Sequence, residues 1–224
     1  MIRLAVIGIG RMGSRHARNI AGGVVKGAKL IAVCDTDKKV LDKVCGKYKV
    51  PGYTDFVELL DKEKPDGVVI ATPHTSHIDI ASRCVERGVH TLLEKPISVT
   101  VKEARKIVDV LNENKSVIGA MMFNQRTNRM YRKAKQLIEE GKIGNIQRVN
   151  FTVTDWYRTQ FYYDMGGWRA SWSGEGGGTL INQCVHQLDV LQWLIGMPEK
   201  VSAICKTVGR NITTENDVTA ILSY

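Results

Sequence analysis

The chain has 224 residues, with 32 Lys+Arg against 23 Asp+Glu and a formal net charge of +9. Its 43% hydrophobic and 25% charged residues are those of a globular protein, which excludes disordered, collagen-like and coiled-coil classes. No apolar run approaches the roughly 18 residues of a membrane span, and the start, MIRLAVIGIG, lacks the cleavage-site pattern of a signal peptide.

The first half alternates strand and helix signals. Residues 2–7 form an apolar run, 12–25 a helix, 28–34 a second buried strand, and 37–48 and 54–62 further helices. A third strand at 67–71 stops at Thr72-Pro73, and a helix follows over 76–88. A fourth strand at 90–93 runs into Glu94-Lys95-Pro96. The stretch 100–114 carries Val101, Ala104, Ile107, Val108 and Leu111 at helical spacing, and 116–122 closes the pattern as a strand. Strands that are apolar throughout, separated by helices, imply a parallel sheet covered on both faces. Residues 1–122 are therefore expected to form a doubly wound α/β domain of Rossmann type.

Residues 123–224 are expected to form a second, incomplete α+β open-sheet domain. It begins with a charged helix at 127–141. Residues 145–155 alternate polar and apolar, which predicts a half-solvated strand. An aromatic and glycine-rich stretch at 156–178 precedes one helix at 179–195, and 199–208 and 217–223 add two more strands. Because the sequence stops in a strand-like run, a C-terminal truncation is expected.

Five cysteines (Cys34, Cys45, Cys84, Cys184 and Cys205) show no C-x-x-C pair. That pattern speaks for reduced thiols in a cytoplasmic protein rather than disulfides or a zinc site. The basic residues are interleaved with acids along the whole chain, so neither nucleic acid nor a membrane is expected as partner.

Gly8-Ile9-Gly10-Arg11-Met12-Gly13 is a G-x-G-x-x-G string that follows a strand and opens a helix. Gly8 suits the tight turn, Gly10 lets a pyrophosphate approach, and Gly13 lets helix and strand pack closely. The N–H groups from Arg11 and Met12 onward then face the phosphates at the positive helix end. Asp35, 22 positions beyond Gly13, is placed to accept hydrogen bonds from the adenosine ribose. A 2′-phosphate there meets like charge, which favours NAD, although Lys38 and Lys39 leave NADP open.

Thr72, Pro73 and His77 follow the third strand at its ligand-facing end and are expected to line the cofactor pocket. His74 and His77 stand three apart with no third ligand nearby, so no metal is expected. Glu94 and Lys95 follow the fourth strand on the same side, where a lysine beside a nicotinamide can exchange a proton with a substrate hydroxyl. A surface lysine paired with Glu94 is the plainer alternative. After Gly176-Gly177-Gly178, Asn182 and His186 are four apart, which puts them on one helix face, with Asp189 placed to orient the imidazole. Trp156, Tyr157, Tyr162, Tyr163, Trp168 and Trp172 can wall a sugar site, and Arg158 and Arg169 can meet an acidic group on the substrate.

Taken together, AVIGIGRMGSRHARN, CDTD, ATPHTSH, EKP at 94–96 and GEGGGTLINQCVHQLDVLQWLIG at 174–196 resemble the glucose–fructose oxidoreductase / inositol dehydrogenase (Gfo/Idh/MocA) family. The resemblance implies hydride transfer between a nicotinamide and a hydroxyl-bearing carbon of a sugar or polyol, in a homodimer or homotetramer. It also implies that Lys95 is the catalytic lysine and His186 the histidine acting with it. Asn182, Asp189, Trp168 and Arg169 would contact the substrate. Many similar proteins have Asp where this chain has Asn182, which cannot exchange a proton. Two other functions fit the same motifs: a lyase or hydrolase that uses NAD, and a non-catalytic dinucleotide-binding regulator.

Overall fold

The computed structural model describes residues 1–154 and 156–224. The chain divides into two compact units, Met1–Met122 and Phe123–Tyr224.

The first unit is built on six parallel strands, β1 (Ile2–Ile7), β2 (Ala28–Cys34), β3 (Gly52–Tyr53), β4 (Gly67–Ile70), β5 (His90–Leu93) and β6 (Gly119–Met121). Their order is β3-β2-β1-β4-β5-β6, so the order reverses between β1 and β4. The five helices between them are α1 (Arg11–Ala21), α2 (Lys38–Tyr48), α3 (Phe56–Glu63), α4 (His77–Glu86) and α5 (Val101–Glu113). Successive strand residues point to opposite faces, which divides the core in two. Ala5, Ile7, Val68, Ile70 and Leu93 pack with Leu59 and Leu60 of α3, Cys84 and Val85 of α4 and Ile107 of α5. Val6, Val33 and Val69 pack with Ala17 and Ile20 of α1 and Leu41 and Val44 of α2. Between Leu4 and Ala5 the pairing with β2 slips by one residue. Ile31 is the extra residue, which is why Ile31 and Ala32 face the same cluster. β3 escaped the sequence pattern because two residues are too short to show a period.

The second unit holds α6 (Arg129–Glu139), α7 (Gln160–Asp164), α8 (Thr179–Asn182), α9 (Val185–Ile195) and the antiparallel pair β7 (Lys200–Lys206) and β8 (Asp217–Ser223). Two sequence expectations fail here. Residues 145–154 keep their alternation but form no strand, and position 155 lies outside the described residues. A strand exists only where its N–H and C=O groups find a ladder partner, and among the described residues none pairs with this segment. The sheet therefore has two strands rather than three. The second failure is the helix expected over 179–195, which is two helices. The Thr179 carbonyl accepts from both Gln183 N–H (3.0 Å) and Cys184 N–H (2.7 Å), and this wider turn breaks the ladder before α9 starts. No helix among the described residues is long and apolar enough to cross a membrane.

Candidate active site

The carboxyl ends of β1, β2, β4 and β5 converge where the strand order reverses, and the glycine turn lies there. Gly8 has φ +84°, and a Cβ on it would meet the Ala71 carbonyl and the Thr72 side chain at 2.8 Å. A Cβ on Gly13 would overlap the Gly8 carbonyl oxygen, so only glycine lets α1 start this close to β1. Gly10 differs: a Cβ there meets nothing within 4 Å. It is the N-cap of α1 and offers no side chain to the first-turn N–H groups. Open space in front of uncapped N–H groups at a helix start is what a pyrophosphate requires. Arg11 and Met12 are exposed at this helix start.

Asp35 holds the turn from the end of β2. Its carboxylate accepts the Ile9 N–H at 2.6 Å through one oxygen and the Asp37 N–H at 2.9 Å through the other. The Gly8 N–H meanwhile donates to the Cys34 carbonyl at 2.8 Å. Asp35 is thus a structural tie of the loop, and it is half-buried with lone pairs to spare.

At the end of β4, Thr72 is half-buried and Pro73 exposed. The Ser76 hydroxyl bonds the Thr72 hydroxyl (2.9 Å) and the Pro73 carbonyl (2.8 Å) instead of capping α4. His77 corrects the sequence expectation, because it is fully buried and presents no surface to a cofactor. Its Nδ1 faces the Pro96 carbonyl at 2.8 Å and its Nε2 the Thr72 carbonyl at 2.9 Å. It clamps the loop after β4 to the loop after β5. Its ring lies 5.8 Å from that of His74, and among the described residues no group of three His, Cys, Asp or Glu assembles as a metal site.

Glu94 also turns inward. At 6% exposure its Oε1 accepts from His16 Nε2 at 2.8 Å and its Oε2 from the Lys95 backbone N–H at 3.2 Å. Burial alone pushes this carboxyl up. The His16 hydrogen bond and charge, with the Lys95 N–H and ammonium, more than offset that and hold it below its ordinary value. Glu94 is therefore a brace between α1 and the turn that carries Lys95, not a ligand-facing acid. Lys95 is half-buried, and the Lys95–Pro96 peptide is cis. His16 was missed from sequence as a bracing residue; it lies 78 residues from its partner, and its motif gives it no role of its own.

In the second unit the glycine run packs against the chain's own Glu215. Gly178 N–H donates to Glu215 Oε1 (3.2 Å) and Oε2 (3.1 Å), Leu180 N–H to Oε1 (3.0 Å), and Thr179 N–H to the Glu215 carbonyl (2.9 Å). A Cβ on Gly178 would overlap that carbonyl oxygen. Glu175 is 1% exposed and accepts from the Ala170 N–H at 2.6 Å and from the Asn182 amide. Asn182 closes α8 and His186 lies in α9, on opposite sides of the helix break, so the uninterrupted shared face is corrected. The His186 ring meets Phe123 edge-on at 6.2 Å. Asp189 was expected to orient that imidazole. Both its oxygens instead accept from Arg126, Nε at 2.8 Å and Nη2 at 2.6 Å, with the carboxylate side chain 7% exposed. Trp168 and Arg169 stack on one another, the guanidinium 4.7 Å from the ring centroid.

Comparison with known proteins follows the same division. Residues 2–122 match the family described as "Oxidoreductase family, NAD-binding Rossmann fold", and residues 131–224 match the GFO/IDH/MocA C-terminal domain. The chain is 30% identical over 196 residues to the scyllo-inositol 2-dehydrogenase (NAD(+)) of Bacillus subtilis, an overlap of 87% of this chain and 54% of that protein. It thus spans about half the length of the curated relatives it matches. The WlbA dehydrogenase from Bordetella pertussis, solved in complex with NADH and UDP-GlcNAcA, superposes with a TM-score of 0.91 at 31% identity, over 99% of this chain and 66% of that one. The scyllo-inositol dehydrogenase from Lactobacillus casei, solved with NAD(H) and scyllo-inositol, gives 0.79 at 26%, over 94% and 61%. With the phosphate-type turn, the strand order and both sequence matches in agreement, the chain belongs to the Gfo/Idh/MocA oxidoreductase family.

Proposed function

We propose that the chain acts as an NAD-dependent oxidoreductase on a hydroxyl-bearing carbon of a sugar or cyclitol. The observation that carries this is the open space at Gly10, before the uncapped start of α1 and beside the end of β4, where the sheet order reverses. Ligands of open α/β sheets sit at such a point. Gly8, Gly10, Gly13 and the N–H groups of Arg11 and Met12 hold the pyrophosphate, Asp35 takes the ribose hydroxyls, and Thr72 and Pro73 form the adjoining wall. The charge of Asp35 disfavours a 2′-phosphate, which selects NAD over NADP.

A bound nicotinamide would supply the redox chemistry, as the acceptor of a hydride (one proton and two electrons) from the carbinol carbon. The chain's own residues manage the other hydrogen. Lys95 takes the proton of the substrate hydroxyl as the carbonyl forms, and returns it in the reverse direction. The buried Glu94–His16 pair fixes the turn on which Lys95 stands. His186 and Asn182 are assigned to the substrate hydroxyls. Asn182 is tied to Glu175, so it orients but does not relay.

The test is a cofactor-reduction screen over inositols, polyols, aldoses and sugar acids, with Lys95→Met beside the wild type. Lys95→Met is expected to lose at least a thousandfold in turnover while NADH affinity stays within twofold. Retained turnover in that variant, or no uptake of NADH by the wild type, refutes the assignment.

A further inference from the structure

In the second unit, arginines alternate with aromatic rings. The Arg158 guanidinium carbon lies 4.7 Å from the Trp156 ring centroid and 4.8 Å from that of Tyr162. The Arg169 carbon lies 4.5 Å from the same Tyr162 ring and 4.7 Å from Trp168. The order is therefore Trp156, Arg158, Tyr162, Arg169, Trp168. Arg210 sits beside this ladder, 5.0 Å from the Tyr157 ring, with its Nε donating to the Arg158 carbonyl at 2.8 Å. Arg158, Arg210, Trp156, Tyr157, Tyr163 and Asp217 line a cavity of about 230 Å³.

Among the described residues the charge in this cluster is not balanced. Among the described residues no ion pair engages Arg158, Arg169 or Arg210, whereas Arg126 in the same unit is bound to Asp189 at 2.6 Å. The Nε atoms of Arg158 and Arg169 are buried and have no hydrogen-bond partner among the described residues. Burying a guanidinium N–H without an acceptor is costly, and gathering like charges adds to the cost. Stacking on the rings recovers part of it and fixes the guanidinium planes. Arg169 Nη1 donates to the Tyr162 hydroxyl at 2.8 Å and Arg210 Nη1 to the Gly209 carbonyl, and the remaining terminal N–H groups are left for a ligand. Among the described residues Asp217 is the one acid on the cavity wall. Against the two guanidinium groups there it leaves the cavity positive, and it supplies an acceptor for a sugar hydroxyl.

We propose that this arginine–aromatic ladder is an anion subsite that takes the carboxylate or phosphate of an acidic sugar, with the sugar ring against the tryptophan and tyrosine faces. A planar guanidinium fork matches either oxyanion. The cavity is smaller than typical drug-sized pockets, which suits a single monosaccharide unit. That this sugar is also the substrate rests on the oxidoreductase assignment above; the binding itself does not.

The experiment is a tryptophan-fluorescence titration of the intact chain with glucuronate, glucose 6-phosphate and glucose, and separately with NADH. At least one of the two acids is expected to saturate, with glucose at least thirtyfold weaker, and the tighter acid identifies carboxylate or phosphate as the natural group. Arg158→Gln and Arg210→Gln are each expected to weaken the acid at least tenfold, with NADH affinity and Tm as in the wild type. Arg158→Lys should recover little, because an ammonium neither stacks nor forks in the same way. Equal binding of glucose and its acids, no saturable response to either acid, or unchanged affinity in both Gln variants overturns the subsite. Because the comparison of acid with glucose uses only the wild type, a variant that fails to fold does not spare the proposal. NADH binding without acid binding refutes the subsite alone. Acid binding without NADH binding refutes the oxidoreductase assignment alone.

Discussion

Two glycines three positions apart in one turn give opposite expectations for the same substitution. In Gly13→Ala the new methyl would lie 2.8 Å from the Gly8 carbonyl carbon and overlap its oxygen. Carbon atoms pack at about 3.5–4.0 Å, so the start of α1 must retreat by about 1 Å, and further to clear the oxygen. Both neighbours are backbone and cannot swing away. The retreat pulls Ala17 and Ile20 off the cluster they form with Val6 and Val33. Overpacking of this kind costs about 3 kcal/mol, which lowers Tm by roughly 10 °C for a unit of this size. In Gly10→Ala the methyl enters open space at an ordinary negative φ of −64°. Exchanging Gly for Ala at an N-cap costs about 0.5 kcal/mol, so Tm moves by only a degree or two. The same methyl stands where the pyrophosphate is proposed to lie, and NADH affinity should fall more than tenfold, about 1.4 kcal/mol. Thermal unfolding by circular dichroism and an NADH fluorescence titration read the two effects independently. A Gly13→Ala protein that melts like the wild type refutes the packing argument, and a Gly10→Ala protein that binds NADH normally refutes the phosphate-binding role.

Asp35→Ala should lower Tm even without cofactor, by the roughly 1–3 kcal/mol of leaving the buried Ile9 N–H unpaired. Asp35→Asn should restore most of that, and identical melting of the Ala variant and wild type would count against the tie. Glu94 has a folded-state pKa below its ordinary 4.5, so the unfolded chain binds the proton more readily. Its stabilisation is then present above about pH 4.5 and is lost as pH falls through the depressed folded value. The Tm difference between wild type and Glu94→Gln should accordingly be full at pH 7 and shrink below pH 4.5; a constant gap would sink this. Burial pushes the Cys34 and Cys84 thiols up to about 12, while Cys205 is exposed. A thiol reagent at pH 8 should label Cys205 in the native protein and Cys34 and Cys84 only in denaturant, as peptide mapping would show.

The strands and helices of the first unit were legible because local and tertiary demands coincide there. A central parallel strand is apolar on both faces, and β1, β2 and β4 show this in the runs Leu4–Ile7, Leu30–Cys34 and Val68–Ile70, while β5 shows it in Leu92 and Leu93. The second unit was harder because its decisive contacts are not periodic. Residues 145–154 have the right alternation and no ladder partner. The helix break at Gln183 and Cys184 contains neither Gly nor Pro; it arises from one carbonyl accepting two N–H groups.

The site divides along the same line. The glycine turn was readable because each glycine answers a steric requirement within a few residues, as Gly13 does to Gly8. Which polar side chains hold the site together was not readable, because each partner is chosen by the fold. His16 meets Glu94 across 78 residues, Arg126 meets Asp189 across 63, and Glu215 reaches Gly178 across 37. The corrections share a direction. His77, Glu94 and Asp189 carry the chemistry expected of ligand-facing groups, yet each is turned inward to another part of the protein. A buried polar group must be paired, and an internal partner is always at hand while a ligand comes and goes. Gly10 escapes this rule because its contribution is the lack of a side chain, and that contribution cannot be spent on internal bonding. For this reason the Gly10→Ala titration is a cleaner test of cofactor binding than any substitution of a charged neighbour.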